Sequence, residues 1–351
     1  MPDLKIYTIL DLRNWLIHNY ATDGLSDKII APQRAYAIIN NPYVKDEDSV
    51  LCAIFENEIP VAYTAAFPDW IEREKRIIWW FSTLYCHPSV QGKGYGLIVI
   101  GQLCELIGEG NYFDMDGAEE TVSIFNYLGL TTRYVPRYLF THKNIHCNSL
   151  KGVLAYMVNC INQWQCGIRR KNLLQKIAKN NYILRYVSYV DDTTYRFITN
   201  NATRDVFVRS QATLNWIISY PFMQFSPLIN RVDKSLEFSS MVQSYALQLV
   251  QVWKYSKLVG VFLYRMMNGQ FSLKYLYYEQ NFVQDVFEAI AEHIILLKAQ
   301  SIQTIDKTFA QWLKSLMLTT KYVEEKQSFS YPSWFEAKDK NIQLGDGDVF
   351  V

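Results

Sequence analysis

A mixed α/β fold, an α+β mixed sheet repeated in two successive halves, is what the sequence predicts, and three observations predict it. The apolar, β-branched and aromatic run 77–86 closes at Pro88, passes through the glycine-rich stretch Gln91 to Gly96 and enters an apolar helical segment. Three strand-like runs in the first half (50–55, 61–67, 77–85) are echoed by three in the second (246–254, 258–267, 271–278), with a helix and a strand after each set. Finally, 351 residues, half of them hydrophobic, exceed one small domain and supply two sizeable cores.

The elements are read in chain order. Residues 4–9 read as a first strand, and 12–20 and 28–40 as helices, the second stopping near Asn41-Pro42. Runs 50–55 and 60–67 form a hairpin around Glu56-Asn57-Glu58, and 77–86 is the next strand. After the helix 97–107 come a strand 112–116, a helix 119–127 stopped by Gly129, and a last strand 134–141. Residues 148–181 have a helical, more basic pattern with Arg169-Arg170-Lys171, suited to a connection. The second half opens near Tyr182 with a meander that turns at Tyr255-Ser256-Lys257 and Asn268-Gly269-Gln270, then a helix 283–298 and a strand 302–305. The expected division is therefore 1–147, 148–181 and 182–351.

Composition narrows the function. Thirty-five Lys and Arg against 34 Asp and Glu leave a formal charge of +1, with no long basic block, which disfavours a nucleic-acid binder. Six cysteines form no paired framework and the amino terminus lacks the zones of a secretion signal, so a reducing cytoplasm is expected. Apolar segments are broken by charges such as Lys257, Arg265 and Glu292 before reaching the ~18 residues of a membrane span, so no membrane partner is expected.

The chemistry concentrates at residues 84–96. Alternate glycines let backbone N–H groups converge on an anion, and the following helix adds unpaired donors and its positive dipole end. Two nucleotide signatures fail here. A dinucleotide fingerprint needs a third glycine where Leu97 stands, and a P-loop needs Ser or Thr where Lys93 is followed by Gly94. Leu84, Cys86, Pro88, Gln91, Gly94 and Gly96, in that order and spacing, resemble motif A of the GCN5-related N-acetyltransferases. Residues 118–130 resemble the family's motif B, with two departures: Phe125 stands where the family often carries a thiolate-protonating tyrosine, and Leu130 replaces a phenylalanine.

The resemblance implies acetyl-CoA as co-substrate. It assigns the pantetheine arm and the thioester carbonyl to the strand edge at Leu84, Tyr85 and Cys86. It assigns the pyrophosphate to Gln91, Gly92, Lys93, Gly94, Tyr95 and Gly96. Acyl transfer to an amine further needs a proton route and a group to meet the thiolate. Asp116, at a strand end beside the motif, is the candidate base, with Asp114 on the same face. Tyr127 is the candidate thiolate partner, about 200° around the helix from the family position. Glu72 and Glu74 read as a solvated cluster. Cys86 and His87, adjacent on a strand, face opposite ways and make no nucleophilic pair. His142, His146, Cys147, Cys160 and Cys166 lack metal-ligand spacing, so no metal is expected.

The second half has Glu279-Gln280-Asn281-Phe282 in place of a glycine loop and reads as a degenerate copy that helps build the acceptor cleft. The ending 343–350 resembles the tails of some tandem proteins linked to bacterial surface-sugar synthesis, which makes an amino-sugar nucleotide the preferred small-molecule amine acceptor. The leading expectation is an acetyl-CoA-dependent N-acetyltransferase. An aminoacyl- or long-chain acyltransferase and a non-catalytic CoA-binding scaffold are the alternatives.

Overall fold

The computed structural model describes residues 2–17, 24–26, 28–142, 150–226, 240–338 and 340–347. The first half runs β1 (Asp3–Thr8), α1 (Ile9–Ile17), α2 (Pro32–Ile39), β2 (Ser49–Glu56), β3 (Ile59–Ile71), β4 (Arg76–Cys86), α3 (Tyr95–Ile107), β5 (Tyr112–Met115), α4 (Glu119–Tyr127) and β6 (Thr131–Thr141). Then come α5 (Leu150–Ile177), β7 (Tyr182–Val187), α6 (Asp192–Asn201), α7 (Gln211–Ser219), β8 (Gln224–Phe225) and β9 (Met241–Val242). The chain finishes with β10 (Tyr245–Lys254), β11 (Lys257–Met267), β12 (Gln270–Tyr278), α8 (Val283–Leu296), β13 (Ser301–Thr304), α9 (Lys307–Leu316) and β14 (Lys321–Tyr331).

Twelve of these strands join one sheet in the order β1-β2-β3-β4-β5-β14-β6-β13-β12-β11-β10-β7. Read from either end the order is the same once β7 and β10 to β14 are matched to β1 to β6, so the second half repeats the first about a pseudo-two-fold between β6 and β14. The last strands are exchanged. β6 runs antiparallel to β14 along eleven residues, from Lys321↔Thr141 to Tyr331↔Thr131, and pairs on its other edge with β13 of the second half. β14, in return, closes on β5 through Phe329↔Met115 and Ser330↔Asp114.

Packing is set by this topology. One apolar core spans both halves on the face covered by α1, α2, α6 and α7, uniting Trp15, Phe67 and Trp80 with Phe207, Trp216 and Phe329. On the other face two separate cores lie under α3 and α4 and under α5, α8 and α9. The tail after β14 also enters the shared core through Phe335, Ala337 and Ile342.

Sequence and structure differ at several edges. The first helix begins at Ile9 rather than 12, and residues 18–20 of the expected segment lie outside the described residues. α2 starts at Pro32, whose missing N–H suits a first turn, instead of at 28. α3 starts at Tyr95 rather than 97, directly on Gly94. The boundary expected at residues 147 and 148 also lies outside the described residues, as do His146, Cys147 and residues 348–350 of the tail.

Candidate active site

β4 and β5 are parallel neighbours only at Trp79↔Tyr112 and Trp80↔Phe113, and diverge beyond. The divergence starts at a bulge. Tyr63 pairs with Tyr85 and Ala65 with Ser82, so Thr83 and Leu84 together oppose Thr64, and Thr83 takes a left-handed φ of 54°. An extra residue bends its strand and re-aims the side chains beyond it. β5 cannot track β4, because β14 holds its other edge at Asp114 and Met115. A cleft of about 400 Å³ opens between them. Phe81, Leu84, Ile100 and Phe125 give it apolar walls, and Arg34, Ser82, Thr83, Asp114 and Asp116 give it polar groups. Met223, from the second half, also lines it.

The glycine loop sits where β4 ends. His87 N–H donates to Val61 C=O (2.8 Å), and Val90 and Lys93 N–H donate to His87 and Val90 C=O (2.9 and 3.1 Å), closing a tight turn. Gly92 and Gly94 have φ of 82° and 81°, conformations that favour glycine, with open space where a Cβ would stand. The first bond into α3 runs from Ile98 N–H to Gly94 C=O. The N–H groups of Gly92, Gly94, Tyr95 and Gly96 make no hydrogen bond among the described residues. Unengaged amides on a helix N-terminus are a geometry that suits an anion. Gly96 is glycine for a different reason: a Cβ there would lie 3.1 Å from Cys86 Sγ.

Side chains brace the loop from outside. Tyr95 OH donates to Glu56 Oε1 (2.7 Å) and the Lys93 ammonium stands 3.6 Å from the same oxygen. The Tyr95 hydrogen bond, with the Lys93 charge behind it, holds the Glu56 carboxyl below its usual range, and the same hydrogen bond raises the Tyr95 phenol. Lys93 is thus directed to Glu56. Burial pushes the Cys86 thiol up, and His87 Nδ1 is engaged with Ser89, so the two form no dyad.

The structure brings Asp116 and Asp114 to the cleft wall. Asp116, at φ 62°, is 2.6 Å from Arg137 Nη1, and the same guanidinium reaches Glu325 of β14 at 3.1 Å. Asp114 is buried at 6% exposure beside Gly117. Tyr127 is not brought to the site: it is 78% exposed at the end of α4, while Phe125, fully buried, packs on Phe81 at 5.0 Å and lines the cleft. Glu72 accepts from Trp70 Nε1 (2.7 Å) and pairs with Lys75, away from the cleft. Among the described residues no group of His, Cys, Asp or Glu has metal-binding geometry.

Several lining residues escaped the sequence reading, among them Arg34, Thr83 and Met223. Arg34 of α2, 6% exposed, donates to Ser82 Oγ at 2.5 Å and lies 4.7 Å over the Phe222 ring. Thr83 Oγ1 is buried without a partner among the described residues. Met223 arrives from across the pseudo-two-fold. The one available signal was Arg34 itself, a charge among the apolar positions Ile30, Ala35 and Ile38.

The second half keeps the bulge and loses the cradle. Leu263 pairs with Tyr275 and Tyr264 with Leu273, so Lys274 is the extra residue of β12. A wider polar cleft of about 890 Å³ opens beyond Leu276 to Tyr278. Where glycines would stand, Glu279 pairs with Lys257 (2.7 Å), Asp285 pairs with Lys254 (2.6 Å), and Val286 packs against Gly260. Carboxylates at a helix start repel phosphate, so this half has no counterpart of the anion cradle.

No protein-family model matches the chain, and no curated protein does. Solved structures do. A candidate acetyltransferase from Pyrococcus horikoshii superposes with a TM-score of 0.51 at 10% identity, over 96% of this chain and 91% of that one. N-myristoyltransferase from Saccharomyces cerevisiae, bound to myristoyl-CoA and inhibitors, gives 0.51 at 11% identity over 100% and 86%. A second structure of that yeast enzyme with myristoyl-CoA gives 0.50 at 11% over 100% and 84%. The bulged and splayed β4, the glycine loop on α3 and these likenesses agree: the chain has the fold of the GCN5-related N-acetyltransferases, built twice.

Proposed function

We propose that the protein is an acyl-CoA-dependent N-acyltransferase, with acetyl-CoA as donor and the primary amine of a small acceptor as nucleophile. The observation that carries the reading is the set of amides at Gly92, Gly94, Tyr95 and Gly96 that make no hydrogen bond among the described residues, on the N-terminus of α3 just after β4 ends. In this reading those amides grip the diphosphate, with Gln91 and Lys93 at the rim. The exposed edge of β4 at Leu84, Tyr85 and Cys86 hydrogen-bonds the pantetheine arm and polarises the thioester carbonyl. The amine enters the cleft, whose lining includes Arg34, Asp116 and Met223.

The amine nitrogen attacks the thioester carbon, the C–S bond breaks as the tetrahedral intermediate collapses, and one proton leaves the amine while the thiolate gains one. Asp116, ion-paired with Arg137, accepts the amine proton, with Asp114 as second carboxylate. Phe125 has no proton to give and Tyr127 stands outside the cleft, so the thiolate is protonated by water. An amino-sugar nucleotide is the acceptor favoured by the tail resemblance.

Calorimetry with purified protein tests the core of the reading. Acetyl-CoA is expected to bind saturably, and Gly94→Glu, which places an anion in the cradle, is expected to abolish binding while circular dichroism is unchanged. Unaltered binding in Gly94→Glu would refute the site. A second reading, long-chain transfer, is favoured by the likeness to an enzyme solved with myristoyl-CoA. A donor series from acetyl- to myristoyl-CoA, read by product mass, separates the two.

A further inference from the structure

Helix α5 has two faces of opposite character. On one, Asn159, Cys166, Leu173 and Ile177 are buried, the last two in a core of the second half, and Arg170 Nε donates to Leu318 C=O at 3.1 Å. On the other, Met157, Ile161, Trp164 and Ile168 are 58, 55, 67 and 40% exposed. Their spacing is four, three and four residues, which is the alternation of d and a positions in a heptad. The sequence extends the register backwards to Leu154 and Leu150, so every such position from 150 to 168 is apolar. A helix that only had to cover its own protein would not repeat a strict seam on its outer side.

The flanking positions decide the partner. Val158, Cys160, Gln165 and Gly167 carry no charge, and α5 contains no acidic residue. The seam is therefore complementary to itself and imposes no like-charge penalty along its length. Four of its five cations, Arg169, Arg170, Lys171 and Lys176, cluster at the carboxy-terminal end and Lys151 stands alone at the other, so an antiparallel pair keeps the two clusters apart and also aligns the helix dipoles favourably. The four described seam residues expose roughly 450 Å², so a pair that covered them fully would bury ~900 Å², the size of a small, reversible interface.

We propose that α5 is a self-association surface on which two copies of this chain pack antiparallel, with Ile161 and Trp164 at the centre. Cys160, exposed and next to the centre, then lies opposite Gln165 of the other copy, about 7.5 Å along the seam from its counterpart.

Sedimentation velocity at tens of micromolar tests this on the full chain. The expected mass is twice 41.1 kDa. The double variant Ile161→Glu/Trp164→Glu is expected at the single-chain mass, with unchanged circular dichroism and melting. A short bismaleimide is expected to cross-link the wild type to a dimer, and Cys160→Ser is expected to prevent it. A monomeric wild type, or a dimer that survives the double variant, overturns the proposal. So does a monomer that floats with anionic phosphatidylglycerol vesicles, which would assign the face to a lipid surface.

Discussion

Gly94 and Gly96 show two different demands on one residue type. Gly94 is required by a positive φ alone, with open space where a Cβ would stand, whereas Gly96 is required because β4 and α3 touch at Cys86 Sγ. Both demands leave a glycine in the sequence, which is why the cradle was legible there. The rest of the lining was not, because Arg34, the neighbours Ser82 and Thr83, and Met223 come from α2, β4 and the stretch after α7, far apart in the chain and with no shared spacing. Tyr127 was misplaced by angle: two residues along a helix is about 200°, and that rotation carries the ring from the cleft to solvent. Kinetics at these residues separate the roles. Asp116→Asn is expected to lower kcat by roughly 10²-fold, the low end for loss of a general base, with the KM for the acyl donor little changed. Tyr127→Phe is expected to leave kcat within about twofold of wild type, since its ring meets no reacting group. A large kcat loss in Tyr127→Phe would return the thiolate to that phenol and require α4 to rotate.

Among the elements, β14 matters most, and it was left unread. Glu324-Glu325-Lys326 interrupt its apolar alternation, and its buried stretch contains Gln327, Ser328 and Ser330, residue types whose burial no pattern announces. The two serines find partners across the strands, where Ser330 Oγ lies 2.9 Å from Thr132 Oγ1 and Ser328 Oγ donates to Gly117 C=O, while the buried Gln327 amide has no hydrogen-bond partner among the described residues. By contrast β2, β3 and β4 and their counterparts β10, β11 and β12 were legible, because consecutive antiparallel strands with short turns announce themselves locally. The helices α6, α7 and α9 each carry a cap, an Asp or Ser accepting from the third residue onward, but are only nine or ten residues long, too short for a clear apolar period. Strand exchange has a direct consequence for dissection. A fragment of residues 1–147 leaves the outer edge of β5 bare and strips β6 of both neighbours. It is expected to lack near-ultraviolet circular dichroism and a cooperative melt, and a sharp two-state transition in that fragment would show that β6 finds another partner.

At the scale of the whole molecule the halves are locked by a buried charge cluster and by the tail. Arg209, ahead of α7, places Nη1 3.0 Å from Asp69 of β3 and Nε 3.7 Å from Asp346 of the tail, all three nearly inaccessible. The same guanidinium donates to Gly347 C=O, and Tyr275 OH donates to Gly345 C=O. One cation thus faces two carboxylates. Asp69 is the closer, and its Oδ1 and Oδ2 also accept from Thr213 Oγ1 and Trp80 Nε1, so it is the better-matched partner of the cation. Burial pushes Asp346 up to about 7, with Arg209 opposing only in part, and Asp205, also buried, rises to about 6. An unfolded aspartate titrates near 3.9, so between pH about 4 and 7 the folded chain holds protons that the unfolded chain has released. Stability accordingly falls as pH rises through that window and levels off above it, the reverse of an acid held down by an ion pair. Melting temperature is expected to drop between pH 5 and pH 8 in the wild type. Asp346→Asn, neutral throughout and still able to accept from the Gln343 N–H, is expected to flatten much of the slope and to melt above the wild type at pH 8. A variant that melts below the wild type at pH 8 would instead mean that Asp346 is ionised in the folded protein and that the tail is held by its charge.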